Sequence, residues 1–375
     1  MQRPLLPPEP RMSLAWGPGH YVPAVQFRTG ELRALSTASS STWAGLTPLV
    51  SLVGPKTEEG ELTASRIRNG IKRIAAAVGN HPFYLDTIRL KPDQRVKLST
   101  GSIGKPALDV AYAEARKQEL VFVPVLRVGR PNAKICEIVQ ETVWQDGSGA
   151  ALKYPILSTI PTPPKTHAIL LKEILEEIDV EPSAADLILD LGYLSPDDVI
   201  QSDDAASLID QVAQIDWRNI ILLATGMPPT LSCIEQGKIG SIDRPEWKLW
   251  QALREVKIAR MPIYGDYAIQ HPTPPKDGGP GMRANIRYTT RRETIIVRGE
   301  GDVSEKGKMQ YIDLCRKLIA TSHYKGSNYS WGDQVIQDCA DGIRDPENQA
   351  LWRGVGTSHH FRVVTEQLSE FGSGS

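Results

Sequence analysis

Short, β-branched apolar runs alternate along the chain with longer segments in which apolar residues recur every three or four positions. The runs fall at residues 21–27, 46–53, 82–90, 120–128, 150–159, 185–191, 219–225 and 261–269. Several are nearly continuous apolar stretches, the pattern of strands buried on both faces. Between them, residues 65–78 carry Ile67, Ile71, Ile74 and Val78 at helical spacing. Residues 166–177, 196–213 and 247–257 repeat that pattern, with Asp203 and Asp204 on a polar side. Eight runs with helices between them predict an α/β protein, a (β/α)8 TIM-barrel-like domain rather than a doubly wound sheet. The fifth strand is contested, because residues 136–143 compete with 150–159 for that place.

Past residue 270 the pattern changes. Residues 271–281 hold Pro272, Pro274 and Pro275, then Gly278, Gly279 and Gly281. This composition forbids both helix and central strand and predicts a loop folded over the barrel mouth as a lid, anchored by the hairpin that follows. That hairpin is expected at 285–288 and 294–298 around Arg291-Arg292-Glu293, with helices at 308–321, 332–339 and 361–371. The expected organisation is a flexible N-terminal extension (1–18), a barrel domain (19–270), and a loop, hairpin and helical appendage packed on the barrel (271–371). A Gly-Ser tail closes the chain (372–375). No internal repeat is visible.

Composition narrows the function classes. The 375 residues include 43 Lys+Arg against 44 Asp+Glu, a formal net charge of −1, with 41% hydrophobic and 23% charged residues. That is a folded chain, and its balance of charge argues against a nucleic-acid coat while leaving room for a local phosphate site. The opening residues lack the apolar core of a secretory signal, and no apolar run is long enough to span a bilayer. A cytoplasmic protein without membrane contact is expected. Cys136, Cys233, Cys315 and Cys339 are far apart and form no CxxC, so neither a disulfide framework nor a zinc ribbon is expected.

The chemistry-bearing residues are charges set inside greasy strands: Asp86, Arg127, Asp190 and Asp266. Burying an unpaired charge costs several kcal/mol, so these side chains are expected to point into the lumen or toward the C-terminal mouth. A structural network paired across the lumen is the plainer reading of any one of them. Four on four strands predict one cavity, with Arg127 paired to at least one carboxylate. Lys153 is a further lumen cation. Gly101-Ser102-Ile103-Gly104-Lys105-Pro106 lacks P-loop spacing and reads as a surface turn. His359-His360 reads as the start of a helix capped by Thr357 or Ser358, and the Trp247/Trp250 stretch as a helix packed on the barrel.

The block Tyr264-Gly265-Asp266-Tyr267-Ala268-Ile269-Gln270-His271-Pro272, followed by Ala284-Asn285-Ile286-Arg287-Tyr288-Thr289, resembles the "beta protein" family of phages and bacterial mobile regions. Tyr21-Val22-Pro23 with Gly30-Glu31-Leu32, and Gly356-Thr357-Ser358-His359-His360, are similar to that family's opening and closing motifs. The resemblance spans about residues 20–368 and implies a barrel-like α/β domain with a role in phage–host conflict or anti-phage defence. Gln26 stands where Lys is common in the family, and Ser51 where an acidic residue is. At an active site these departures would alter or remove an activity.

Two functions are therefore expected as rivals, beside a third option, a small-metabolite sensor in the barrel mouth, that the sequence does not separate from them. In the first, the barrel is a metal-dependent hydrolase or phosphodiesterase acting on a nucleotide or nucleic acid. Asp86, Asp190 and Asp266 hold Mg²⁺ or Mn²⁺ or act as general base, and His271 is a general acid. Arg28, Arg127, Lys153 and Tyr264 bind the ligand. In the second, it is a non-catalytic recognition subunit that senses a phage protein or pairs with a separate effector. The oligomeric state is left open.

Overall fold

The computed structural model describes residues 14–52, 63–87, 90, 95–97, 103–129, 133–156, 164–195, 202–273, 283–302 and 307–372. Its strands, in chain order, are β1 (Tyr21–Gln26), β2 (Leu49–Ser51), β3 (Phe83–Asp86), β4 (Arg95–Lys97), β5 (Ile103–Pro106), β6 (Phe122–Arg127) and β7 (Ala150–Pro155). They continue as β8 (Ala185–Tyr193), β9 (Asn219–Thr225), β10 (Ile239–Asp243), β11 (Ile263–Asp266), β12 (Arg283–Thr289) and β13 (Glu293–Asp302). Eight of them close into a parallel barrel in the order β1-β2-β3-β6-β7-β8-β9-β11. Each coincides with one of the eight apolar runs, and the contested segment 136–143 lies in the helix Ala133–Asp146.

Two apolar layers explain the closure. Val22, Leu49, Tyr84, Val123, Ala151, Ile188, Ile221 and Ile263 fill the lumen. The alternate residues Tyr21, Val50, Leu85, Leu126, Leu152, Leu187, Leu222 and Tyr264 face the helices outside. The helix Ala64–Val78 shows how these helices form: Thr63 caps it through the Arg66 amide, and Ile67, Ile71, Ile74 and Val78 turn inward. Trp247 and Trp250, on the helix Pro245–Leu253, are buried in the outer layer as expected.

The segment after the barrel builds a second core. β10, β13 and β12 form an antiparallel sheet, of which β10 was missed because Ile239-Gly240-Ser241-Ile242-Asp243 is short, half polar and largely exposed. The helix Gln310–Ile319 packs on that sheet, and Trp331–Ala340 packs against Gln310–Ile319 in the same core. The last helix runs from Gln349 to Gly372, beginning well before the expected residue 361. Gly354 and Gly356 are small because backbone lies against them. A Cβ on Gly354 would stand 2.7 Å from the Gly30 carbonyl oxygen, and one on Gly356 2.7 Å from that of Arg287. This helix also carries Phe361, Val364 and Leu368 into the barrel's outer core. The segment expected to be an appendage thus supplies part of the barrel's own cover. Among the described residues no helix is long and apolar enough to cross a membrane.

Candidate functional site

Strand alternation decides which charges reach the mouth. In β6, Val123 and Val125 lie in the lumen, so Arg127 continues inward; the same count carries Ala151 to Lys153, Ile188 to Asp190, Tyr84 to Asp86, Ala24 to Gln26 and Leu49 to Ser51. These residues stand at the C-terminal ends of their strands and line a cavity of about 360 Å³, together with Tyr193, Tyr267, Pro272 and Thr273. Gln26, Ser51 and Asp86 are in register across β1, β2 and β3, and Arg127 is in register with Lys153.

The lysine holds the carboxylates together. Lys153 Nζ lies 3.6 Å from Asp86 Oδ2 and 3.4 Å from Asp190 Oδ2. Tyr267 donates its hydroxyl to Asp190, 2.7 Å from each carboxylate oxygen, and Ser51 donates to Asp86 at 3.2 Å. Burial opposes the ammonium charge, but Tyr267, Asp190 and Asp86 outweigh it and hold Lys153 above the ordinary lysine range. Burial, with Asp190 adding to it, pushes the Tyr267 phenol up. Arg127 behaves differently. It is half-buried at the mouth, and among the described residues it makes no hydrogen bond or ion pair. The expectation that Arg127 pairs with a carboxylate is corrected: Lys153, one strand over, takes that place, and the guanidinium keeps partial access to solvent at the mouth.

Asp266 and Tyr264 are not in this cavity. Ile263 faces the lumen, so Tyr264 and Asp266 face outward, under the last helix. There Asp266 Oδ2 accepts from Tyr264 at 2.9 Å and from His360 Nε2 at 2.9 Å, while Oδ1 accepts from the Ala268 amide at 2.8 Å and from the Tyr21 hydroxyl. Arg244 reaches the Tyr264 hydroxyl at 3.3 Å and Gln367 Oε1 at 2.8 Å. Burial works against the Asp266 carboxylate, but His360, Arg244 and Tyr21 bring it below its usual range. Burial lowers His360 in spite of Asp266. This closed network ties the C-terminal helix to the barrel wall.

The expected three-carboxylate site for Mg²⁺ or Mn²⁺ is therefore not assembled. Asp86 and Asp190 enclose an ammonium, Asp266 lies on the far side of the wall, and the described residues contain no group of three His, Cys, Asp or Glu able to hold a metal ion. His271 stands at the rim with its ring 5.2 Å from that of Tyr193 and its Nδ1 against Thr273, and it does not line the cavity. Arg28 sits just past β1 as the residue before the helix Thr29–Ser36, also outside the lining. The lid expectation lies largely outside the described residues. Of its described residues, 271–273, Pro272 and Thr273 border the cavity, and Gln26 Nε2 donates to the Pro272 carbonyl at 3.4 Å.

His359 and His360 correct the helix-start reading. Both lie inside the helix Gln349–Gly372, fully buried. His359 bridges Asp333 (2.9 Å) and the Thr289 carbonyl (2.8 Å). Tyr193 and Tyr267 were missed as site residues. The signal for Tyr267 was its parity with Ile263 and Gly265, which points it inward.

A closed parallel (β/α)8 barrel with charged and polar side chains converging at the C-terminal mouth defines the class, a (β/α)8 TIM barrel. The chain belongs to the Beta protein family, whose model matches residues 21–366. No curated protein matches the sequence. Among solved structures it is similar to the carboxyl transferase domain of Rhizobium etli pyruvate carboxylase. The Y628A form with pyruvate has 10% identity and a TM-score of 0.34 over 99% of this chain and 68% of that one. The domain with pyruvate and biocytin has 9% identity and a TM-score of 0.34 over 100% and 70%.

Proposed function

We propose that the barrel mouth binds a small phosphate-bearing ligand and that the protein acts through it in phage–host conflict. The observation that carries this is Arg127, a guanidinium lining a concave site with no protein partner among the described residues. A planar fork of donors left open beside a second cation suits an anionic oxygen group. The cavity volume, about 360 Å³, favours a single nucleotide-sized molecule over a nucleic-acid strand. In the hydrolytic form of this reading, Asp190 is the general base, with its carboxylate oriented by Tyr267 and Lys153. The phage–host setting comes from the family resemblance.

One observation favours a second reading, a recognition subunit without catalysis. Lys153 already lies between both mouth carboxylates, an arrangement that is also a structural ion-pair network. Thermal unfolding with a panel of phosphate esters and their dephosphorylated counterparts tests the binding. Phosphorylated members should raise the melting temperature with concentration and the others should not. Turnover of the stabilising ester, lost in Asp190→Asn, supports hydrolysis. Binding without turnover supports recognition, and no stabilisation by any ester sinks the proposal.

A further inference from the structure

Tyr193 reaches the mouth through an irregularity in β8. Up to Asp190, inward residues pair with inward residues: Asp186 with Asn219, Ile188 with Ile221 and Asp190 with Leu223. The register then shifts, Gly192 pairs with Ala224, and Tyr193 pairs with Thr225. Without the extra residue, Tyr193 would take the outward parity of Leu191. With it, the tyrosine inherits the inward parity of Thr225 and lines the cavity. Bulges of this kind re-aim side chains beside binding sites. Gly192 makes the shift at φ +68°, a conformation that suits glycine. Its amide donates to Asp190 Oδ1 at 3.0 Å, so the carboxylate that meets Lys153 also pins the bulge. His271 leans on the Tyr193 ring at 55° rather than stacking on it.

We infer that Tyr193 is a stacking platform for a flat ring, and that the ligand is a nucleoside monophosphate, its base on Tyr193 and its phosphate on Arg127. This rests on the anion-binding reading of the mouth and adds the other end of the molecule. Tyr267 also lines the cavity, with its hydroxyl on Asp190 and its ring 5.7 Å from Lys153 Nζ. His271 is then a positioning residue that backs the platform.

Calorimetric titration of the four ribonucleoside 5′-monophosphates, ribose 5-phosphate and inorganic phosphate tests the inference on the wild type, Tyr193→Leu and Tyr193→Phe, with circular dichroism confirming the fold. At least one nucleotide should bind about tenfold more tightly than ribose 5-phosphate, the scale of one base–aromatic stack. Tyr193→Leu should erase that difference and leave ribose 5-phosphate affinity unchanged, and Tyr193→Phe should keep it. Equal binding of ribose 5-phosphate and all four nucleotides to the wild type overturns the inference and leaves the anion reading standing. A nucleotide preference that survives Tyr193→Leu overturns it as well. If none of the phosphates binds, the anion reading falls and takes this inference with it.

Discussion

Arg127 and Lys153 stand in register on neighbouring barrel strands, yet only the lysine lies between carboxylates. The two cations have separate work. Lys153 neutralises Asp86 and Asp190 in a site where Asp86 is 2% exposed, and Arg127 stays open to the mouth.

Lys153→Met should therefore unfold more easily, by about 3 kcal/mol, because it strands buried carboxylates that remain after their partner is gone. Combining it with Asp86→Asn should recover part of the loss, since one of those charges then disappears. Urea denaturation of the single and double variants measures both. A single variant as stable as the wild type would mean that water, not the lysine, supports the carboxylates.

Asp266 provides the contrast. Asp266→Ala removes the acceptor for Tyr21, Tyr264, His360 and the Ala268 amide. Leaving these donors unpaired should cost about 4 kcal/mol in total. Ligand affinity at the mouth should be unchanged, because Asp266 lies outside the barrel wall. A stable variant with weakened ligand binding would place Asp266 in the site after all.

Acid should weaken the fold through its buried histidines. Burial lowers His20 to about 4, where its Nε2 meets Thr47 at 2.9 Å and its ring stacks on Trp16. The unfolded chain takes up that proton near pH 6.5, whereas the folded protein refuses it until about pH 4. The unfolded state thus binds more protons in this window, and stability falls as pH drops from 6.5 toward 4, by about 3 kcal/mol for His20. The lowered His360 acts with the same sign. Denaturant midpoints across this range should slope downward toward acid, and less steeply in His20→Asn. Equal slopes for the two proteins would remove His20 from the account.

The eight strands were legible because β-branched apolar runs bury both faces, and every run lies on a barrel strand. Which face of the wall a charge occupies was not, since side chains alternate and one position reverses the answer. Asp86 and Asp190 sit two residues past lumen residues, whereas Asp266 sits three past Ile263 and so faces outward. Tyr193 was hidden more deeply, because a bulge breaks the count. His359 and His360 read as a helix start capped by Thr357 or Ser358, whereas the helix already begins at Gln349. Within it, Gly354 and Gly356 serve close backbone contact with Gly30 and Arg287, a long-range constraint that local pattern does not carry.

The most direct test of a phosphate site at the mouth is calorimetric titration of a stabilising phosphate ester into the wild type and Arg127→Gln, at two salt concentrations. Arg127 has no protein partner among the described residues, so the variant should melt with the wild type. Loss of a charged hydrogen-bonding group should weaken binding by about ten- to a hundredfold. Binding to the wild type should also weaken with added salt, more than in the variant. Equal affinity in the two proteins at both salt concentrations would contradict the account.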